Sequence, residues 1–492
     1  MYVHHLHNSM RQFDLCNVAR VTIDMLPDVA LLEIFEFYDG PEPMFWVDKQ
    51  QINAWHTLVH VCRKWRDIVF GSPLRLNLRL YCGYGTPVRR MLGVWPLLPI
   101  IMEAGGSTEQ GVDDIIAALE HSDRICFLSL VTFPGSQFKM LWEAMSQQPF
   151  PALTYLNIQN GDFEMAAPVI PASFLGGSAP RLRTLTVVCI PFPGLRKLLL
   201  SATHLVSLTL GSIPHSGYIS PAAMVNNISD LTMLEDLHIT FLSPRSFPDR
   251  RSRRQPTQIR TVLPVLRKLV FMGVSEYLED LVARIDAPLL NILGITFFHQ
   301  LIFDTPQLTR FISRTPNFKV HDEARVVFTG QGGSIRFPRG PIGQLSWGVS
   351  CRHIDWQLSS LAQACSSSLP QSLISTVEHL YLHISLFRLD QEPGWQDDIE
   401  ISQWVDLLRL FTAAKDLYIT KDFTPYIAPA LKELAVGSVT EVLPALQTLL
   451  LQDEPWDEEK LPLSGPVQDM IERFVTARQL ARSRWKEPFI YA

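Results

Sequence analysis

Polar and aromatic side chains recur between the leucines of several short apolar segments. Successive side chains of a β-strand point to opposite faces, so in Leu380-Tyr381-Leu382 the leucines face a core and the tyrosine faces outward. Tyr, His, Asp and Asn combine flat apolar area with hydrogen-bonding groups, which suits a protein or peptide ligand. The alternative is an ordinary solvated sheet face. The candidate binding residues are Tyr155, Asn157, Asp236, His238, His379, Tyr381, His383 and Tyr418.

No catalytic signature accompanies these residues. The sequence has no G-x-x-x-x-G-K-[ST] phosphate loop, no H-E-x-x-H motif and no G-x-S-x-G motif, and its cysteines include no pair with zinc-ligand spacing. The segment Gly330-Gln331-Gly332-Gly333 lies between two predicted strands, which favours a hairpin turn over a phosphate-binding loop. His4, His5 and His7 are typical of a polar terminal tract, with metal binding as the alternative. We therefore expect no enzymatic activity, no cofactor and no resident metal.

The apolar segments repeat the pattern Leu-x-x-Leu-x-Leu in degenerate form, about 23 to 32 residues apart. This period is typical of leucine-rich repeats, in which each turn contributes one short strand and one helix. A leucine-rich helix bundle is the alternative, but an alternation with period two, bounded by Pro and Ser, favours strands. The repeats begin at Ile125, Leu153, Leu182, Leu205, Leu234, Leu266 and Leu290, and they resume at Val377, Ala414 and Leu446.

The predicted fold class is α/β, an irregular leucine-rich-repeat solenoid with a parallel inner sheet over residues 72–465. Helices are expected between strands, for example over residues 275–285, because their leucines have helical spacing. Residues 318–350 predict three short strands, a hairpin elaboration of one coil in which Gly330, Gly332 and Gly333 form the first turn. Residues 466–492 predict a capping helix and tail, which would cover the open end of the core.

Two apolar runs stand at the amino-terminal end. Pro27 suits a helix start, and Leu31, Ile34, Phe35 and Tyr38 follow at i, i+3, i+4 and i+7, which predicts a helix with one buried face. The second run carries two apolar stripes at helical spacing. A short helix needs two stripes only if it packs on two sides, so we expect one side to contact its own domain and the other a partner. The stripes are Ile52, Trp55, Val59 and Cys62, and Leu58, Val61, Trp65 and Ile68.

Residues 22–71 resemble an F-box, a three-helix module whose pattern is Leu-Pro, a spaced Ile-Phe and then Val-Cys-Arg-x-Trp-Arg. An F-box followed by leucine-rich repeats resembles the substrate receptors of Skp/cullin/F-box ubiquitin ligases, in particular large fungal families of them. The resemblance implies that the F-box binds the Skp adaptor, and a cullin through it, while the repeats hold a protein substrate near a ubiquitin-charged enzyme. It carries adaptor contact over to Leu26, Pro27, Ile34, Phe35, Val61, Cys62, Trp65 and Ile68.

The segment departs from the F-box pattern at two places. Residues 39–50 form a longer connection than is usual, and Val29 stands where an acidic residue is common. Three alternatives therefore stay open. The helices could be a cap without a partner, the F-box could act outside ubiquitination, or the repeats could bind nucleic acid through an arginine-rich loop at 243–260.

Composition and the cysteine pattern limit the partners and the cellular location that we expect. The net charge of −6 disfavours nucleic acid as a partner. Seven scattered cysteines indicate a reducing compartment, so we expect a cytoplasmic or nuclear location, or both. Residues 1–21 predict a flexible terminus without a signal peptide, and the apolar stretch 94–102 contains prolines and is too short to span a membrane. A soluble protein is expected.

Overall fold

The computed structural model describes most of the chain. The described residues are 23–38, 54–83, 88–105, 109–133, 135–161, 168–245, 260–300, 302–338, 343–351, 354–384, 401–437, 440–452, 465–483 and 490–491. The predicted flexible terminus (1–21), the connection 39–50 and residues 246–259 of the arginine-rich loop lie outside these ranges.

Strands and helices alternate along the chain. The strands are β1 (Leu80–Cys82), β2 (Ile100–Gly105), β3 (Ile125–Val131), β4 (Tyr155–Gln159), β5 (Thr184–Val188), β6 (Ser207–Ile213), β7 (Asp236–Phe241), β8 (Thr261–Val262), β9 (Lys268–Gly273), β10 (Ile285–Asp286), β11 (Ile292–Phe298), β12 (Glu323–Thr329), β13 (Gly332–Phe337), β14 (Gln344–Ser350), β15 (His379–Ile384), β16 (Asp416–Thr420), β17 (Thr448–Gln452) and β18 (Ile490–Tyr491).

The α-helices are α1 (Asp28–Tyr38), α2 (Ala54–Val59), α3 (Arg63–Gly71), α4 (Val88–Val94), α5 (Glu109–Leu119), α6 (Gly135–Met145), α7 (Leu195–Ser201), α8 (Pro221–Ile228), α9 (Ser275–Val282), α10 (Pro306–Arg314), α11 (Ile354–Ser368), α12 (Gln371–Ile374), α13 (Ile401–Leu408), α14 (Thr424–Gly437) and α15 (Gly465–Ser483). Short 3-10 helices occur at Ile23–Met25, Phe174–Gly177, His215–Gly217 and Pro316–Phe318.

A 16-stranded sheet runs through the described part of the chain, in the order β1-β2-β3-β4-β5-β6-β7-β9-β11-β14-β13-β12-β15-β16-β17-β18, and β8 and β10 pair separately as a two-stranded parallel sheet. Neighbouring strands are parallel except at β13, which is antiparallel to both β12 and β14. All the strands predicted from the Leu-x-x-Leu-x-Leu repeats lie in this sheet. The prediction of a long parallel sheet in an α/β repeat fold is therefore confirmed.

Burial alternates along the strands as the period-two pattern requires. In β7, Leu237 and Ile239 are buried while Asp236 and His238 are half-buried. The inward side chains form one continuous apolar cluster with the buried side chains of the helices. Each buried leucine contributes about 1.5–3 kcal/mol of transfer free energy, and no single coil could bury its leucines alone. The opposite, outer face of the sheet is the one that carries the candidate binding residues.

The regular winding is interrupted at β12 to β14. Strand β14 pairs with β11, β12 pairs with β15, and β13 runs backwards between them. The turn after β12 contains Gly330, but Gly332 and Gly333 are the first residues of β13, so the prediction that they form the turn is wrong. A Cβ atom on Gly332 would lie 2.3 Å from the carbonyl oxygen of Val349, so this glycine permits the close approach of β14.

The second amino-terminal run forms two helices, α2 and α3, so three α-helices are described before β1. Cys62 has extended backbone angles, and its Sγ accepts a hydrogen bond from the Trp65 N–H at 3.5 Å at the start of α3. Trp65 packs against Phe35 of α1 with ring centroids 4.8 Å apart. The indole N–H of Trp55 donates to the Arg79 carbonyl at 3.1 Å, which fixes α2 to the chain entering β1.

The carboxyl-terminal end is closed by α15 and β18. Ile471 and Phe474 of α15 are buried, and the buried Arg478 donates hydrogen bonds to the carbonyl groups of Val442 and Leu443. Strand β18 pairs in parallel with β17 and extends the sheet by one strand. No described helix is both long and apolar enough to cross a membrane.

Candidate functional site

The outer face of the sheet carries a pair of stacked tyrosines. Tyr381 of β15 and Tyr418 of β16 are register partners on adjacent parallel strands. Their rings are stacked, with centroids 4.2 Å apart and planes 5° from parallel. Burial, and to a smaller extent the neighbouring Tyr418, raises the pKa of Tyr381 to about 12. Its hydroxyl therefore stays protonated at neutral pH. The pair forms a flat, half-buried surface with hydroxyl groups at its edge.

A second pair lies one step along the same strands. His379 and Asp416 are register partners, and His379 Nδ1 lies 2.8 Å from Asp416 Oδ2. Glu323 of β12 is the register partner of His379 on its other side. The structure therefore brings together four of the predicted binding residues, which are His379, Tyr381, His383 and Tyr418.

Two arginines continue the row of Tyr381 and Tyr418. Arg325 of β12 is the register partner of Tyr381, and Arg336 of β13 is the register partner of Arg325. The guanidinium carbon of Arg325 lies 5.3 Å from the centre of the Tyr381 ring, within cation–π range, and its Nε lies 2.5 Å from Glu323 Oε1. Sequence reasoning missed both arginines as site residues, although their strands were predicted.

The two arginines affect the pKa of His383, which lies on the same face of β15 as Tyr381. Burial lowers the pKa of His383, and the positive charges of Arg336 and Arg325 lower it further. His383 is consequently neutral at pH 7. The formal charges on this part of the sheet are positive at Arg325 and Arg336 and negative at Glu323 and Asp416, which lie in the neighbouring row.

The other predicted residues lie elsewhere on the sheet. Tyr155 of β4 stacks on Phe127 of β3 with centroids 4.2 Å apart. Asn157 is buried. Its amide donates a hydrogen bond to Ser129 Oγ at 3.1 Å and accepts one from Gln159 Nε2 at 3.0 Å, so it is engaged in hydrogen bonds within the sheet. Strands β4 and β15 are nine spacings apart in the sheet order, roughly 40 Å at about 4.8 Å each.

Asp236 and His238 occupy a third position, on β7 between these two clusters. Burial lowers the pKa of His238, Lys268 lowers it further, and Asp236 opposes the shift. The predicted binding residues therefore share one face, as expected from strand geometry, but they do not form one site. A ligand that reached all of them would have to follow the sheet across most of its strands.

A separate surface lies on the amino-terminal helices. Val29 is 61% exposed, Ile34 is 43% exposed and Phe37 is 91% exposed. At about 100° per residue, Phe37 lies opposite the buried Leu31 and Phe35, and Val29 and Ile34 lie on either side of it. Ile34 lies at the edge of the predicted face and is exposed, so the expectation that it is buried is wrong. Met25 and Val61 are also mostly exposed, at 62% and 55%.

The residues carried over for adaptor contact divide into two groups. Phe35, Trp65 and Ile68 are buried inside the three-helix unit and hold it together, so they present no surface to a partner in this structure. The others are exposed or partly exposed, and these are Leu26, Pro27, Ile34, Val61 and Cys62. Sequence reasoning missed Met25, Val29 and Phe37 as exposed apolar residues.

Within the described ranges, no group of three or more His, Cys, Asp or Glu side chains is placed to hold a metal ion. Burial raises the pKa of the Cys82 thiol to about 12, and it also raises that of the fully buried Cys365. Both thiols are therefore protonated and poor nucleophiles.

No protein-family model matches the sequence, and no curated protein matches it. Among solved structures, the leucine-rich repeat-containing protein LegL7 from Legionella pneumophila is similar to this chain. The two are 13% identical, with 81% of this chain and 97% of that chain covered and a TM-score of 0.28. A likeness at this TM-score carries no conclusion, so the repeat architecture rests on the strand register and burial described above.

Proposed function

We propose that this protein is a substrate receptor of a Skp/cullin/F-box type ubiquitin ligase in the cytoplasm or nucleus. Its amino-terminal helices bind the Skp adaptor, and a cullin through it, while the repeat sheet binds a protein substrate. The chain supplies no catalytic group, and its contribution to the reaction is to hold the substrate near the ubiquitin-charged enzyme.

The exposed apolar side of α1 is the observation that carries this proposal. The same helix buries Leu31 and Phe35 and leaves Phe37 exposed on the opposite side, with the exposed Val29 and Ile34 on either side of it. Apolar residues clustered on an exposed helix face are typical of a protein-interaction site, because leaving them in water forgoes the free energy of burial. A cap that only closed the solenoid would need one apolar face.

Phe35 and Phe37 provide a matched test on one helix. Phe37→Ser removes an exposed ring, so its effect on the free energy of unfolding should stay within about 0.5 kcal/mol. If the ring is buried by the adaptor, adaptor affinity should fall by roughly 30-fold, the loss expected for an interface hot spot. Phe35→Ala removes a buried ring and should cost about 3–5 kcal/mol of stability.

The assay is binding of the purified full chain to immobilised Skp adaptor with cullin, alongside thermal unfolding. Leu200→Ser is the control, because Leu200 is a mostly exposed leucine on the solenoid helix α7 and its loss should leave adaptor binding unchanged. Unchanged adaptor affinity in a folded Phe37→Ser/Val29→Ser variant would refute docking on this side of α1. Failure of the wild-type chain to bind the adaptor at all would refute the proposed function.

A further inference from the structure

The reversed strand β13 places two arginines directly opposite each other. Arg325 and Arg336 are register partners in the antiparallel pair β12–β13, so their Cβ atoms are about 4.5–5.5 Å apart on the outer face. Like charges at directly opposed positions destabilise a sheet. A parallel continuation of the coils would not have paired these two strands in this way.

Among the described residues, one carboxylate, that of Glu323, pairs with these two arginines. Arg325 contacts Glu323, whereas Arg336 is exposed and has no ion-pair partner among the residues that the structure describes. Arginine side chains are long and flexible, so two of them with Cβ atoms this close can both reach one anion. The planar guanidinium fork also matches the geometry of carboxylate and phosphate oxygens, to which it can donate paired hydrogen bonds.

The neighbouring side chains suit an anion within a peptide. Ser346 of β14 is the register partner of Arg336, and Ser334 lies two residues before it on the same face, so both hydroxyls flank the arginines. On the other side, Tyr381 and Tyr418 offer a flat surface for an adjacent side chain. Since Tyr381 stays protonated and His383 stays neutral at pH 7, neither repels an anion or adds a competing charge.

We propose that Arg325 and Arg336, together with the Tyr381–Tyr418 stack, form a binding site for an acidic peptide segment through a carboxylate or phosphate side chain. This inference rests on the client-binding part of the proposed function and names the chemistry of the client. A peptide fits better than a nucleic acid, because the net charge is −6 and the neighbouring row of the sheet carries two carboxylates, Glu323 and Asp416, that would repel a continuous phosphate backbone.

The test uses the full chain without adaptor and short fluorescein-labelled peptides of Gly, Ser and Tyr. One peptide carries glutamates at its centre, one carries a phosphoserine, one is neutral and one carries lysines; a single-stranded DNA of similar length is added. Fluorescence anisotropy should give the highest affinity for the glutamate or phosphoserine peptide, and the stronger of the two identifies the preferred anion. Arg325→Gln and Arg336→Gln should each weaken it by about 10-fold or more.

Two sets of variants separate this site from general electrostatics. Arg181→Gln with Arg196→Gln removes the same charge at two exposed positions away from the row, so it should leave peptide affinity unchanged. Arg325→Lys with Arg336→Lys keeps the charge without the planar fork and should retain only part of the affinity.

Three results would overturn the proposal: equal affinity for neutral and acidic peptides, including no detectable binding of either; an equal loss in the control variant; or a preference for DNA. Adaptor binding is measured on the same variants and should not change. A failure here therefore leaves the docking proposal intact, and a failure of adaptor binding leaves this site intact.

Discussion

Leu417 and Tyr418 are consecutive residues on β16 that face opposite sides of the sheet, and they allow a direct test of the strand orientation. Leu417 is fully buried in the leucine core, whereas Tyr418 is half-buried and stacked on Tyr381. Leu417→Ala should cost about 2–5 kcal/mol, because it removes transfer free energy and leaves a cavity.

Tyr418→Ala should cost less. Half-burial of a large apolar side chain accounts for about 1 kcal/mol, and stacking on Tyr381 adds about 0.5–1.5 kcal/mol. A double-mutant cycle on Tyr381 and Tyr418 isolates the stacking contribution, which should appear as a coupling free energy of about 0.5–1.5 kcal/mol.

Urea unfolding followed by circular dichroism measures these changes as shifts of the midpoint at constant slope. Equal losses for Leu417→Ala and Tyr418→Ala, or the reverse order, would refute the assignment of faces. A coupling free energy of zero would show that the two rings do not stack in solution.

The same double variant tests where the client binds. With Tyr381→Ala and Tyr418→Ala combined, most of the leucine core is untouched, so adaptor binding should be retained while client proteins are lost. Comparative proteomics of the proteins that co-purify with wild type and variant measures this difference. An identical set of co-purifying proteins would place client recognition outside the tyrosine stack.

Two further predictions concern single positions. Tyr277 is fully buried and donates to the Ile219 carbonyl at 3.0 Å, and burial raises its pKa well above the usual value. Its phenol ionises near pH 10 only in the unfolded chain, so the free energy of unfolding should fall as the pH rises above about 10. Tyr277→Phe should reduce that fall and should cost about 1 kcal/mol at neutral pH because the hydrogen bond is lost. Melting temperatures at increasing pH measure both effects, and an alkaline slope that is the same in the variant would contradict the assignment. Gly332→Ala should destabilise the protein by about 1–3 kcal/mol because its Cβ would meet the Val349 carbonyl, whereas Gly71→Ala, with no atom within 4 Å, is the control that should be neutral or stabilising in the same melts.

Much of the repeat architecture could be predicted because each coil carries its own signal. In segments such as Leu234-x-x-Leu237-x-Ile239, alternation with period two identifies a strand and its inward face without any knowledge of the neighbours. The same rule placed Tyr381 and Tyr418 on the outer face before their contact was known. Helical spacing likewise predicted a helix from residue 275, which the structure has as α9.

In the amino-terminal helices, local spacing does not determine which side chains are buried. Residues at i, i+3 and i+4 lie near one another on a helix, but the width of the face that is covered depends on what packs against it. Ile34 and Phe35 are adjacent in the chain, but Phe35 is buried with Trp65 of α3 packed on it, whereas Ile34 is exposed. The second run was broken into two helices by the extended backbone at Cys62, which the apolar stripes do not encode.

Local patterning was enough to establish the strands, their inward faces and the α/β repeat, because burial of alternate residues is imposed within each short segment. The tertiary structure alone decided which segments became neighbours. Arg325 and Arg336 face each other, and Arg325 faces Tyr381, because β13 turns back between β12 and β14 and because β12, not β14, pairs with β15. Strand order and register depend on pairing and packing between segments far apart in the chain, so the hydrophobic period within one segment does not determine them.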